Sequence, residues 1–242
     1  MSVEVPLARP RRPAAQLQAL VAEAAARFDD GSSPQDILRW FGERLGTDRI
    51  AVAVSFTDAV MATLAGQALP GVDVLFVDTG YHFAETLGFR DYVAGEADVR
   101  VRSLTPGLTV AEQDAQYGAR LHERDPDACC AMRKTAPMDA ALRGYDAWAT
   151  GLRRADHAGR AGTPLVQWDE RHGMIKINPI AAVDDAALDA FIAEHGILAN
   201  PLQQLGYRSI GCEPCTRPVA DGQDVRAGRW AGSSKTECGI HQ

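Results

Sequence analysis

Ile50-Ala-Val-Ala-Val-Ser-Phe56 and Asp73-Val-Leu-Phe-Val-Asp78 are two short, nearly continuous apolar runs. Runs of this kind read as strands buried on both faces, which is how strands sit in a parallel sheet. Ala59 to Leu69 lies between them and suits a crossover helix. Working outward, Phe83 to Ala94 reads as a helix and Val99 to Leu104 as a strand. Tyr145-Asp-Ala-Trp-Ala-Thr-Gly151 and Met174-Ile-Lys-Ile-Asn-Pro179 give two more strand candidates. Asp184 or Asp185 caps a helix that ends at His195-Gly196. Upstream, residues 14 to 28 and Pro34 to Leu45 read as amphipathic helices, with Trp40 and Phe41 turned to a core. This alternation predicts an α/β protein with a doubly wound, mostly parallel sheet. The predicted division is a helical lead-in over 1–45 and an α/β domain over 46–242 that closes on an irregular tail.

Ligands of such sheets bind outside the carboxyl ends of the strands. Those ends are Ser55-Phe-Thr-Asp58, Asp78-Thr-Gly-Tyr-His82 and Thr150-Gly-Leu-Arg-Arg154. A net charge of -7 argues against nucleic acid as a partner. It does not oppose a small anion, because local basic clusters override the global sign. No apolar run approaches a membrane span, and no export signal is read, so a cytoplasmic protein with reduced cysteines is expected. The oligomeric state is left open, a homo-oligomer included.

Cysteine spacing carries the chemistry. Cys129 and Cys130 are adjacent, Cys212-Glu-Pro-Cys215 is a second pair, and Cys238 stands alone. Four thiolates in two tight pairs are enough for one site holding zinc or an iron–sulfur cluster. A vicinal pair is cramped on one zinc ion, whereas a cubane offers each sulfur its own iron. The spacing therefore favours [4Fe–4S] and leaves zinc open. Taken singly, the first pair would read as small buried residues and the second as a redox dithiol.

Six short motifs then point to a family. They are Cys129-Cys-Ala-Met-Arg-Lys134, Gly211-Cys-Glu-Pro-Cys-Thr216, Glu237-Cys-Gly-Ile-His241, Asp78-Thr-Gly-Tyr-His82, Ala149-Thr-Gly-Leu-Arg153 and Gly228-Arg-Trp230. Each is weak alone, but six in order are specific. Together they resemble the iron–sulfur assimilatory adenylylsulfate (APS) reductases of the PAPS reductase family, whose fold is adenine-nucleotide α-hydrolase-like. The resemblance runs from about Ile50 onward. The first nucleotide loop departs from the family pattern, because Ser55 to Val60 contains no glycine.

The resemblance implies a [4Fe–4S] cluster on Cys129, Cys130, Cys212 and Cys215. It implies reduction of APS to sulfite and AMP through a Cys238 S-sulfo intermediate, with thioredoxin or a glutaredoxin as reductant. The implied substrate-binding set is Ser55, Thr57, Asp78, Thr79, Gly80, His82, Lys134, Thr150, Gly151, Arg153, Arg226 and Arg229. The chemistry suits these types. A thiolate attacking a sulfuryl sulfur brings anion to anion, and fixed cations offset that repulsion better than water does. Arg226 and Arg229 grip the phosphosulfate, and Lys134 screens it from an anionic cluster. Lys235 and His241 favour the Cys238 thiolate. His82 either lines the nucleotide pocket or caps the next helix. His122, His157, His172 and His195 read as surface or cap residues. The alternatives are a PAPS or dual reductase, a sulfur-inserting ATP pyrophosphatase, and a zinc-stabilised module without activity.

Overall fold

A computed structural model describes residues 10–220, 222–230, 235 and 239–240. Six strands form one sheet: β1 (Ile50–Ala53), β2 (Val72–Val77), β3 (Val99–Leu104), β4 (Ala147–Thr150), β5 (Val166–Asp169) and β6 (Met174–Ile177). Their spatial order is β3-β2-β1-β4-β6-β5. All pairings are parallel except β5 with β6, which are antiparallel at the edge. The chain leaves β1 toward β2 and β3, then returns to place β4 on the other side of β1. The order thus reverses between β1 and β4, and in such sheets the ligand crevice lies at their carboxyl ends.

Side chains alternate across the sheet as strand geometry demands. Val52, Val74, Phe76, Ala147, Ala149, Ile175 and Ile177 meet one set of helices. Ala51, Leu75, Val77, Trp148 and Met174 meet the other. The first face is covered by α1 (Ala14–Arg27), α2 (Pro34–Leu45), α3 (Val60–Ala68) and α4 (Ala84–Glu96). Leu17, Ile37, Leu38 and Phe41 are fully buried there, and Trp40 is nearly so. The lead-in helices thus share one core with the strands. Ser33 accepts from the Asp36 N–H to cap α2. The last α-helix among the described residues, Asp185–His195, starts on the Asp184 cap and ends at Gly196 in the left-handed region.

Two parts of the chain differ from the sequence expectation. Strand β5 was not foreseen. Val166-Gln-Trp-Asp is short, edge-placed and half-exposed, so its pattern is weak. The stretch between β3 and β4 is helical almost throughout. It comprises α5 (Val110–Tyr117), α6 (Leu121–Arg124), α7 (Pro126–Cys130), a π-helical turn at Ala131–Thr135 and α8 (Ala136–Leu142). A legible signal existed for α5, where Thr109 and Glu112 form a capping box. The run after it hides its period because Pro137 interrupts it. Proline cannot donate, and its ring crowds the carbonyl four residues back. The helix widens just before it, so that the Ala136 N–H reaches back five residues to the Ala131 carbonyl. Such π turns concentrate at functional sites. This one carries Arg133 and Lys134 directly after the paired cysteines.

Candidate active site

The crevice is made first by the loop after β1. Phe56 adopts φ +55, a left-handed conformation that suits glycine. Here the side chain itself fixes it. The ring is fully buried and meets Phe76 at 5.4 Å. Asn200 clamps the same loop, donating from Nδ2 to the Phe56 carbonyl and to Thr86 Oγ1, and from its backbone to the Thr57 carbonyl. Ser55 Oγ and Thr57 Oγ1 lie 3.3 Å apart at the mouth. Asp58 bonds the Val60 N–H at the start of α3. Burial pushes its carboxyl above the usual range, against that hydrogen bond and the nearby Arg153. At the end of β4, Thr150 donates to Asn178 Oδ1 at 2.6 Å. A side chain on Gly151 would press on Met61. Arg153 turns to Asp156 at 2.8 Å and to Asp185 at 2.9 Å.

The loop after β2 joins the crevice to the cysteines. The Gly80 N–H bonds Asp78 Oδ1, and Gly80 itself takes φ +72. His82 donates from Nε2 to the Val77 carbonyl at 2.9 Å and lies against Phe76. It makes no helix cap, since the cap of α4 is Phe83. Burial holds the His82 imidazole below its ordinary pKa. His82 also pairs by an antiparallel bridge with Cys212, and the Glu213 N–H bonds the Tyr81 carbonyl.

Cys129, Cys130, Cys212 and Cys215 line one small pocket, together with Tyr81, His122, Arg133 and Lys134. Two come from the end of α7 and two from the loop bridged to His82. Burial, then the three neighbouring thiols, push the Cys129 thiol up to about 12. Burial and Cys212 push Cys215 up to about 11, partly offset by Lys134. Four thiols so crowded resist ionising, and a cation inverts that balance by holding them as thiolates. The donor set therefore fits a thiolate-bound metal group. Among the described residues, no group of three or more His, Cys, Asp or Glu is arranged to hold a single metal ion.

Thr79 Oγ1 shares a hydrogen bond with Cys212 Sγ at 3.2 Å. Arg133, quoted in the cysteine motif but given no role from sequence, is buried beside them. It donates to the Thr79 carbonyl at 2.6 Å, the Gln113 Oε1 at 3.0 Å and the Leu108 carbonyl. It locks the β2 loop to the cysteine helix. His122 is corrected from a surface residue to a wall of the cysteine pocket, in edge contact with Tyr81. His172 is corrected too, because it is buried between Asp139 and Asp169 beneath Trp148. His157 and His195 lie as expected, the first accepting from the Gly159 N–H and the second at the end of its helix. Both misplacements have one cause: helical spacing says nothing about what a neighbouring strand or loop lays over a side chain.

Arg226 and Arg229 approach the pocket through Trp230, whose N–H bonds the Cys215 carbonyl. Cys238 and His241 lie outside the described residues. On its flanks, Lys235 pairs with Asp127, and the Gly239 carbonyl accepts from Arg171 at 2.7 Å. Ile240 packs on the second face of the sheet.

A mostly parallel α/β sheet whose order reverses at its centre defines the doubly wound class, which binds ligands at the carboxyl ends of its strands. A Candida glabrata FMN adenylyltransferase shares this fold at 14% identity, with a TM-score of 0.52 over 85% of this chain and 74% of that one. The thiol pocket beside the crevice narrows the class further. Residues 49–218 match the phosphoadenosine phosphosulfate reductase domain, and the chain belongs to that family. It is 56% identical to the adenosine 5'-phosphosulfate reductase of Streptomyces coelicolor, over 93% of this chain and 95% of the relative. Identity to the Mycobacterium tuberculosis protein of that name is 47% over the same shares. The crystal structure of a Candida auris phosphoadenylyl-sulfate reductase matches with a TM-score of 0.68 and 26% identity, covering 83% of this chain and 97% of that one.

Proposed function

We propose that this protein reduces adenylylsulfate to sulfite and AMP in sulfate assimilation. The observation that carries the reading is the convergence of four thiols on one pocket, with Lys134 in its wall and Arg226 and Arg229 beside it. The relatives named as adenosine 5'-phosphosulfate reductases support the substrate. By the resemblance, enzymes that act on the 3'-phosphorylated analogue usually lack both cysteine pairs, so Cys129-Cys130 and Cys212…Cys215 favour adenylylsulfate.

Cys129, Cys130, Cys212 and Cys215 would hold a [4Fe–4S] cluster. Four thiols line one pocket, and a vicinal pair is cramped on a single ion, which favours a polynuclear group over zinc. Once bound, such a cluster contributes a fixed negative charge that shapes the field at the pocket. The chain's own residues do the rest. Ser55, Thr57, Asp78, Thr79, Gly80, His82, Thr150, Gly151 and Arg153 shape the nucleotide crevice. Lys134, Arg226 and Arg229 neutralise the phosphosulfate, so that an anionic thiolate can approach.

Cys238 attacks the sulfuryl sulfur; the S–S bond forms as the bond to the AMP phosphate oxygen breaks. A dithiol such as thioredoxin, or a glutaredoxin, then attacks the Cys238 sulfur and expels sulfite. Its second thiol closes its own disulfide and returns the Cys238 thiolate. Two electrons pass from the dithiol to the sulfur that leaves as sulfite. With four thiols committed to a metal group, the reducing cytoplasm is the fitting compartment.

The test omits the reductant. Enzyme mixed with adenylylsulfate should gain one SO3 group on the peptide containing Cys238, seen by intact-protein and peptide mass spectrometry. Reduced thioredoxin should remove it and release sulfite. Cys238→Ser should keep its iron and bind nucleotide, yet form no adduct. Normal turnover by that variant, or an adduct on another cysteine, would overturn the assignment.

A further inference from the structure

Trp230 is a large aromatic residue with only 5% of its surface exposed, yet among the described residues it joins none of the three apolar clusters. Four cations lie over its ring. The Arg229 guanidinium lies 4.6 Å from the ring centroid and that of Arg226 5.8 Å away. The Lys235 ammonium is at 5.6 Å and that of Lys134 at 5.7 Å. These four charges arrive from three places: the π-helical turn, the segment after the second cysteine pair, and the C-terminal tail. Like charges so close repel one another, so attractions must offset that repulsion. The negative face of the indole is one attraction common to all four.

The backbone is built to hold the ring there. Trp230 takes φ +48, which a bulky residue adopts only when its surroundings impose it. Its N–H is held by the Cys215 carbonyl, and Thr216 and Arg229 pair by a bridge. Gly228 is required for this course, since a Cβ would fall 2.0 Å from the Arg217 carbonyl oxygen. Arg229 crosses Gly211 and donates to Ser209 Oγ and the Ile210 carbonyl. The indole Nε1 is buried without a hydrogen-bond partner. A ring placed only to fill space would be met by apolar side chains, as Phe56 is.

We propose that Trp230 is a positioning residue for the phosphosulfate end of the substrate, its face gathering Lys134, Arg226, Arg229 and Lys235 into one preorganised anion-binding group. The inference rests on the function proposed above and adds to it how that group is assembled before an anion arrives. It also links the tail to the cysteine loop through a single residue, since Lys235 lies over the Trp230 ring and the Cys215 carbonyl accepts from the Trp230 backbone N–H.

The experiment measures equilibrium binding of adenylylsulfate and of AMP to the cluster-loaded protein and to two variants, with iron content and visible spectrum recorded for each. Trp230→Leu keeps an apolar side chain, smaller than indole, and removes the π face; Trp230→Phe, also smaller, serves as the control for lost volume. Trp230→Leu should weaken adenylylsulfate by roughly tenfold or more, several cation–π contacts being lost together, and AMP by no more than about threefold. Trp230→Phe keeps a face and should stay within about threefold of the parent for both ligands. Both variants should keep parental iron and spectrum. Equal losses in the two variants, an equal loss for AMP and adenylylsulfate, parental binding by Trp230→Leu, or iron loss in both would overturn the proposal. A parent that itself does not prefer adenylylsulfate to AMP would sink the proposed substrate, and this inference with it, whatever the variants do.

Discussion

The crevice between β1 and β4 and the pocket of four cysteines share a wall at Asp78–His82, yet opposite means build them. The crevice is a product of the sheet. Parallel ladders place Ser55, Thr57, Thr150 and Gly151 at strand ends, and buried amides of Asn200 and Asn178 tie the loops down. The cysteine pocket has no ladder behind its second half. From Asn200 on, the only helical elements among the described residues are two short 3-10 turns, Pro201–Leu205 and Glu213–Cys215. That half is held by isolated bridges, His82 to Cys212 and Thr216 to Arg229, and by close approaches at Gly228. The first set of loops is tied to the sheet directly. The second brings together thiols that burial and one another push up, a cost that a bound cation would offset.

The sharpest way to break that contrast is to remove a thiol. Cys212→Ser should abolish iron binding and reduce turnover to background. It should raise amide exchange across residues 200–230 while β1 and β4 stay protected. Structural metal sites contribute about 10 kcal/mol or more to the folding of small thiolate-bound modules, so this is the largest effect expected. Protection lost equally in β1 and β4 would show that the two regions form one cooperative unit.

Next in size is Phe56→Gly, aimed at the crevice. Glycine would accept the left-handed backbone and relieve roughly 1–2 kcal/mol of strain. It would also forfeit a fully buried ring, and Phe to small costs about 3–5 kcal/mol. Packing wins, so denaturant unfolding should show a net loss, with iron content unchanged. A variant more stable than the parent would mean that the loop is strained by its phenylalanine and not supported by it.

The smallest effect concerns pH and the sheet alone. Burial would raise the Asp73 carboxyl, but hydrogen bonds from Tyr145, Arg100 and Arg102 outweigh it and hold the pKa below its ordinary value. A depressed acid stabilises the fold above its unfolded pKa of about 3.9 and loses that contribution as pH falls through the folded value. Acid titration of stability should therefore show a decline below about pH 4 that Asp73→Asn flattens. Arg100 is half exposed, so solvent discounts its share. An unchanged acid slope in the variant would assign the decline to other carboxylates.

Much of this was legible in the chain. The apolar runs at Ile50 and Asp73 became β1 and β2 because strands buried on both faces leave no polar alternation to confuse. The helix at Asp185 ended where Gly196 said it would. The shared pocket followed from two cysteine pairs. The departure from the family pattern in the Ser55 loop was visible, but its remedy was not. Phe56 takes a left-handed conformation that glycine accepts most readily, and Phe76 and Asn200, both remote in sequence, hold it there.

Local order and donor chemistry are what the residues determined by themselves. Periodicity is a property of neighbours along the chain, and a thiol is a soft ligand wherever it lies. Only the tertiary structure decided the rest. Arg133 became a buried lock because three acceptors from distant segments close around it. His122 became a pocket wall because the loop after β2 brings Tyr81 against it. Four cations met at Trp230 because the backbone turns left-handed at that residue and sets its ring among them. Burial and charge at a site sum over neighbours in space, and no window along the sequence contains those neighbours.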